Sequence, residues 1–170
     1  MLEQLVAWAG DCVVRGDVSI DDGRLSDRVN EMELLTFFGA TLEALEDGRE
    51  VKVDELEVER HELHLIEVEG RRGDPTRRLR TVPERVWMQV GPFEVTGNLH
   101  RPPSAGPLAS LARWVRFVPM TEVEFRLTGR DAAPTRRDVV LVNRERITRT
   151  EPMAAFAVQA TDPAAAEAAG

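Results

Sequence analysis

"VLVNRERITRTEP" (residues 140–152) is an apolar run that ends in a charged step, and "LEVERHELHLIEVE" (residues 56–69) has the same cadence. Val58, Arg60, Leu63 and Glu67 answer Val142, Arg144, Ile147 and Glu151 at a spacing of 84. A chain that repeats a pattern in this way points to a duplicated structural unit, and a duplication sets the whole fold. Working outward, "VRGDV" (14–18) answers "VTGNL" (95–99) at a spacing of 81, and "FFGAT" (37–41) answers "FVPMT" (117–121) at 80. The order of the three blocks is kept, and the spacing drifts only between them, where loops belong.

Within the blocks the apolar period is two, the signature of strands with one buried face. Cys12, Val14, Gly16, Val18 and Ile20 alternate with polar neighbours, as do Phe93, Val95, Gly97 and Leu99. In "VRFVPMTEVEFRL" (115–127), Val115, Phe117, Thr121, Val123, Phe125 and Leu127 fall on one face, with an edge or bulge expected at Pro119, which has no amide donor. The expected core is Val14, Val18, Phe37, Phe117, Val123, Phe125 and Ile147. Helix signals stand between the first two blocks of each half. In "GRLSDRVNEMELL" (23–35), Ser26 can cap and Leu25, Val29 and Met32 form a stripe; in "PPSAGPLASLARWV" (102–115), Ser104 can cap and Leu108, Leu111 and Trp114 form a stripe. "LEQLVAWA" (2–9) reads as a further amphipathic helix on Leu2, Leu5 and Val6.

The expected fold class is therefore α+β, mainly β: two tandem, diverged small β-barrel or sheet units, each with one short helix, packed as a pseudo-dimer because neither can close a generous core alone. The expected divisions are 1–69 for the first unit with its N-terminal helix, 70–85 for an arginine-rich linker, 86–153 for the second unit, and 154–170 for a low-complexity tail.

With Gly16, "RLSDRVN" and "FFGAT" in one half and Gly97, "FVPMT" and "VNRERI" in the other, the chain resembles an uncharacterised bacterial domain family present in two copies. Those features are structural and imply no chemistry. More distantly, the unit is similar to Sm-like small barrels, whose closing strand follows an Arg-Gly-x-x-Ile pattern. That resemblance implies RNA contact at Arg60 and Arg144, but His61 and Glu145 stand where the family has glycine, so topology is what carries over.

The 170 residues include 42 % hydrophobic and 31 % charged side chains with a formal net charge of -8. An acidic surface repels a phosphate backbone, which argues against nucleic-acid binding, and a chain without tyrosine has few rings on which bases stack. No run approaches the ~20 apolar residues that span a bilayer, and the N-terminus lacks a basic signal region, so a cytoplasmic protein without membrane insertion is expected. Cys12 reads as a small core residue. His61 and His64 lie three apart and would face opposite sides of a strand, which disfavours a metal site. With no nucleophile elbow, phosphate-cradling loop or dinucleotide fingerprint, the expectation is a non-enzyme with no catalytic residues, no metal and no cofactor.

The least ordinary feature is a run of basic charge: Arg71, Arg72, Arg77, Arg78, Arg80 and Arg85 face only Asp74 and Glu84 within residues 71–85. Guanidinium forks suit carboxylates and phosphates. These six, with Arg60 and Arg144, are the candidate partner- or anion-binding residues. The expected function is an adaptor, scaffold or assembly component acting through protein–protein contacts, including contacts with its own copies. The alternative is a regulator that binds a nucleotide or other anion between the units.

Overall fold

The computed structural model describes residues 2–20, 25–67, 80–112 and 115–153. Among these residues ten strands form a single antiparallel sheet: β1 (Leu2–Trp8), β2 (Cys12–Ser19), β3 (Leu34–Ala44), β4 (Glu50–Glu59), β5 (Leu65–Glu67), β6 (Val82–Val90), β7 (Phe93–Arg101), β8 (Phe117–Leu127), β9 (Thr135–Asn143) and β10 (Ile147–Pro152). Their order is β10-β6-β7-β8-β9-β5-β1-β2-β3-β4, and one α-helix, α1 (Leu25–Glu31), lies between β2 and β3. The mainly β, α+β class is what the alternating apolar pattern dictates. No helix of the described residues is long and apolar enough to cross a membrane.

Pairing in the first half is repeated in the second. β1 pairs with β2 and β5, as β6 pairs with β7 and β10. Val6 opposite Glu67 is matched by Trp87 opposite Glu151, offsets of 81 and 84. A bulge between Arg15 and Asp17 has its counterpart between Thr96 and Asn98. The residue that turns the strand there is Gly39 (φ 58°) in β3 and Glu122 (φ 51°) in β8. Glycine adopts this left-handed region without penalty, whereas a glutamate does so only where the surrounding ladder imposes it.

Cys12 opposite Ala44 is matched by Phe93 opposite Leu127, so β3 and β8 correspond at 83 rather than at the 80 read from the sequence. Phe37 therefore answers Met120, and Phe117 answers Leu34. The Phe and Thr identities misled because the segment from β2 to β3 is two residues shorter than its counterpart from β7 to β8, which moves the offset from 81 to 83. The bulge also changes the strand's phase: Met120, Val123 and Phe125 share the second half's core, while Phe117 points into the first. Thr121, expected inward, is only half-buried. Pro119 is exposed in an interior strand, just beyond the last β7 pair at Met120.

Two helix expectations are corrected. Residues 2–8 form β1, not a helix, because seven in-register pairs with β2 bury Leu5, Ala7 and Trp8; a short apolar run does not by itself separate the two periods. In the corresponding segment of the second half, the described residues form a 3-10 turn, Ala109–Ala112. Leu108 has φ 58°, incompatible with a helical first turn, and the preceding prolines supply no amide donors. β6 also takes in Val82–Arg85, residues that the sequence assigns to the linker.

Of the expected core, Val14, Val18, Phe37, Phe117, Val123 and Phe125 are buried, and Ile147 is half-buried against it. The core falls into two clusters that exchange members. Phe117 and Leu141 belong to the first half's cluster, and Trp8, Val13 and Leu65 belong to the second's. Trp8 meets Phe125 edge to face at 4.9 Å between ring centroids.

Candidate functional site

The two halves meet where β5 pairs with β9: Leu65 opposite Val142, Ile66 opposite Leu141 and Glu67 opposite Val140. Around this seam, side chains finish the hydrogen bonding that three pairs begin. Asn143, fully buried, donates its amide to the Leu63 carbonyl at 2.7 Å, and its backbone N–H donates to the His64 carbonyl at 2.9 Å. Arg146 donates from Nε and Nη2 to the His61 carbonyl at 2.8 and 2.6 Å. Arg137 pairs with the carboxylate of Glu67. Asn30, on α1, bonds both backbone groups of Phe117: its Nδ2 donates to the carbonyl at 3.0 Å and its Oδ1 accepts from the amide at 2.8 Å.

The same kind of edge exists a second time without a partner. β9 corresponds to β4 at 84, and among the described residues β4 and β10 are the outermost strands, each paired on one side only. An outer strand leaves alternate N–H and C=O groups unpaired. Burial records the difference. Val140, Leu141, Val142 and Asn143 of β9 are all buried, whereas of their β4 counterparts Leu56 is half-buried, Glu57 and Glu59 are exposed, and only Val58 is buried. Val51 is 60 % exposed and Leu34 45 %, although Leu34 stands where the second half has the fully buried Phe117. The open edge of the sheet at β4, with Leu34 and Phe38 of β3 beside it, is the candidate site. "EVKVDELEVE" (50–59) signals it in sequence, since apolar residues alternating with many charges mark an exposed edge strand.

The candidate arginines are placed differently. Arg71, Arg72, Arg77 and Arg78 lie outside the described residues. Arg80 is exposed, and Arg85, on β6, donates to the Glu122 carbonyl at 2.9 Å. Arg60 and Arg144 each open a 3-10 turn, Arg60–Glu62 and Arg144–Arg146, and do the same work in the two halves. The Arg60 backbone N–H donates to the Glu33 carbonyl and its guanidinium donates to the Asn30 carbonyl at the end of α1. The Arg144 backbone N–H donates to the Arg116 carbonyl and its guanidinium donates to the Leu111 carbonyl in the equivalent 3-10 turn at 3.2 Å. These partners lie on different elements.

The histidines do not converge. His61 is exposed in its turn, 2.8 Å from the Glu59 carboxylate, while His64 is buried against Phe93. Burial holds the His64 pKa below its ordinary value, and the Arg146 charge pushes the same way. Among the described residues no cluster of three His, Cys, Asp or Glu side chains is arranged to hold a metal ion. Cys12 is half-buried beside the first cluster, and desolvation, followed by a hydrogen bond with Asp11, raises its pKa to about 11. A shallow polar depression over β1–β4 is lined by Arg15, Asp17, Thr41, Glu43, Glu50 and Lys52. Its charges are mixed, and Arg15 is already paired with Glu43 at 2.6 Å.

The chain matches no family model, no curated protein and no solved structure.

Proposed function

We propose that this is a non-catalytic binding protein, an adaptor or assembly component, built from two diverged copies of one small barrel-like unit joined as a pseudo-dimer. Its β4 edge accepts an extended segment of another protein as an added strand. The supporting observation is internal: β9, the counterpart of β4, is buried at Val140–Asn143 by β5, while Leu56, Glu57 and Glu59 of β4 remain open. Strand addition supplies main-chain hydrogen bonds for affinity and alternate side chains for selectivity.

Amide hydrogen exchange tests this. In the free protein the amides of residues 140–142 exchange slowly and the outward-facing amides of β4 exchange fast; an extended ligand slows the β4 set. Slow exchange along β4 in the free monomer, or ligand protection confined to other elements, overturns the reading.

A further inference from the structure

The seam between the halves is a residue-by-residue counterpart of the open edge. Directly opposed residues of antiparallel strands share a face. One face of the β3–β4 edge therefore carries Leu34 with Glu59, Thr36 with Glu57, and Phe38 with Glu55. At the corresponding places of the seam stand Phe117 with Asn143, Pro119 with Leu141, and Thr121 with Val139. Glu57 thus occupies the position of the buried Leu141, Glu59 that of the buried donor Asn143, and Glu62 that of Arg146, whose guanidinium bridges the seam.

The opposite outer strand is altered as well. Arg149, Thr150 and Glu151 of β10 stand where β5 has Leu65, Ile66 and Glu67, and the strand ends at Pro152, which has no amide to give. A second copy laying its β10 along β4 in the seam's register puts Arg149 in the place of a fully buried leucine and Glu57 in the place of another. It also loses the bonds made by Asn143 and Arg146. Glu57 would be buried with no cation facing it, and Arg149 would carry its ion pair with Glu151 out of water; both are unfavourable. Both edges are thus closed to head-to-tail growth of the chain on itself.

Among the described residues, what remains at β4 is an unpaired ladder flanked by three glutamates and two exposed apolar side chains, Leu34 and Phe38 (38 %). The surrounding half is acidic throughout: residues 1–67 carry 18 Asp and Glu against six Lys and Arg, a formal charge of −12. We infer that the occupant of the β4 edge is an extended segment of a different protein, basic and apolar by turns, with Lys or Arg facing Glu55, Glu57 and Glu59 and a bulky apolar residue covering Leu34. This rests on the strand-addition reading of β4 and adds the chemistry of the partner.

The test uses the full chain and two short peptides, one alternating valine with lysine and the other valine with glutamate, with anisotropy for affinity and hydrogen exchange for location. The lysine peptide binds at least about tenfold more tightly than the glutamate peptide, weakens as salt rises, and protects β4. The Glu57→Lys/Glu59→Lys variant, altered only at exposed positions and checked for an unchanged melting temperature, reverses the preference. The parent chain sediments as a monomer, whereas Arg149→Leu/Glu57→Leu gains self-association. Equal affinity for both peptides with β4 protected overturns the basic-partner inference and leaves strand addition standing. If neither peptide protects β4, both fall. A parent chain that self-associates through β4 overturns the exclusion of a second copy.

Discussion

The His64 imidazole lies where a side chain on Gly91 would be: a Cβ added to Gly91 meets the ring's Cδ2 and Nε2 at 2.2 Å. His64 belongs to the first half, between a 3-10 turn and β5, and Gly91 to the β6–β7 hairpin of the second. The Gly91 amide also donates to the Arg146 carbonyl at 2.9 Å, so the hairpin is pinned beside the ring. Gly91 has φ 54°, which adds backbone strain to the overlap for any L side chain.

Gly91→Ala is accordingly expected to destabilise the protein by roughly 2–4 kcal/mol, combining left-handed strain with overpacking. Gly129→Ala is the control, because Gly129 also has positive φ (76°) but nothing within 4 Å of an added Cβ; strain alone costs about 1–2 kcal/mol there. Urea unfolding of the two variants should separate them. Equal losses would show that the His64 contact is dispensable.

Acid should loosen the seam. The His64 pKa is depressed in the folded protein by burial and by Arg146, so the unfolded chain takes up the proton more readily. The stability associated with neutral His64 is present above the ordinary histidine pKa of about 6.5 and is lost as pH falls from there through the lowered folded value. Urea midpoints measured from neutral pH down through this window should fall more steeply for the parent than for His64→Gln; parallel profiles would rule out His64 as the source.

Phe117 and Leu34 occupy matching places in the two halves, one fully buried across the seam and the other largely exposed at the open edge. Phe117→Ala should cost about 3–5 kcal/mol and Leu34→Ala less than about 1 kcal/mol. The asymmetry in thermal or chemical unfolding measures how far the seam, rather than the local strand, holds this position.

Asn143→Ala leaves the buried Leu63 carbonyl and the part-buried Glu145 amide without their side-chain partner. A loss of about 1–3 kcal/mol is expected. Its exchange signature should be faster opening at Leu65–Glu67 than in the β6–β7 hairpin.

Cys12, with its pKa raised to about 11, is almost wholly a thiol at mildly alkaline pH. Iodoacetamide should modify it far more slowly than a free cysteine at pH 8, reaching the free rate only after denaturation. Fast alkylation of the native chain would place the thiol in water.

Much of this architecture is legible in the order of residues. Alternation makes the strands, because period two buries one face of a pleat, and the 84-residue echo of Val58, Arg60 and Glu67 spans two 3-10 turns, Arg60–Glu62 and Arg144–Arg146. The helix at Leu25–Glu31 follows from its apolar stripe. Residues 2–8, by contrast, have a pattern compatible with helix or strand, and β2 decides between them by supplying a ladder. The phase of β8 depends on a bulge marked only by a glutamate with φ 51°, which local propensity would not select. The candidate site divides similarly. The charges of "EVKVDELEVE" are visible in the chain, but that β4 stays open while its counterpart β9 is covered follows from β5 crossing to the other half, a pairing between residues about 75 apart. The sequence alone determined the alternation that makes most of the strands and most of the residues they bury, because alternation is a property of neighbours along the chain; residues 2–8 and the phase of β8 were settled by pairing. Which edges close, which side chains become a seam and which are left as a surface was decided by tertiary pairing, because an edge is defined by the strand that does or does not lie beside it.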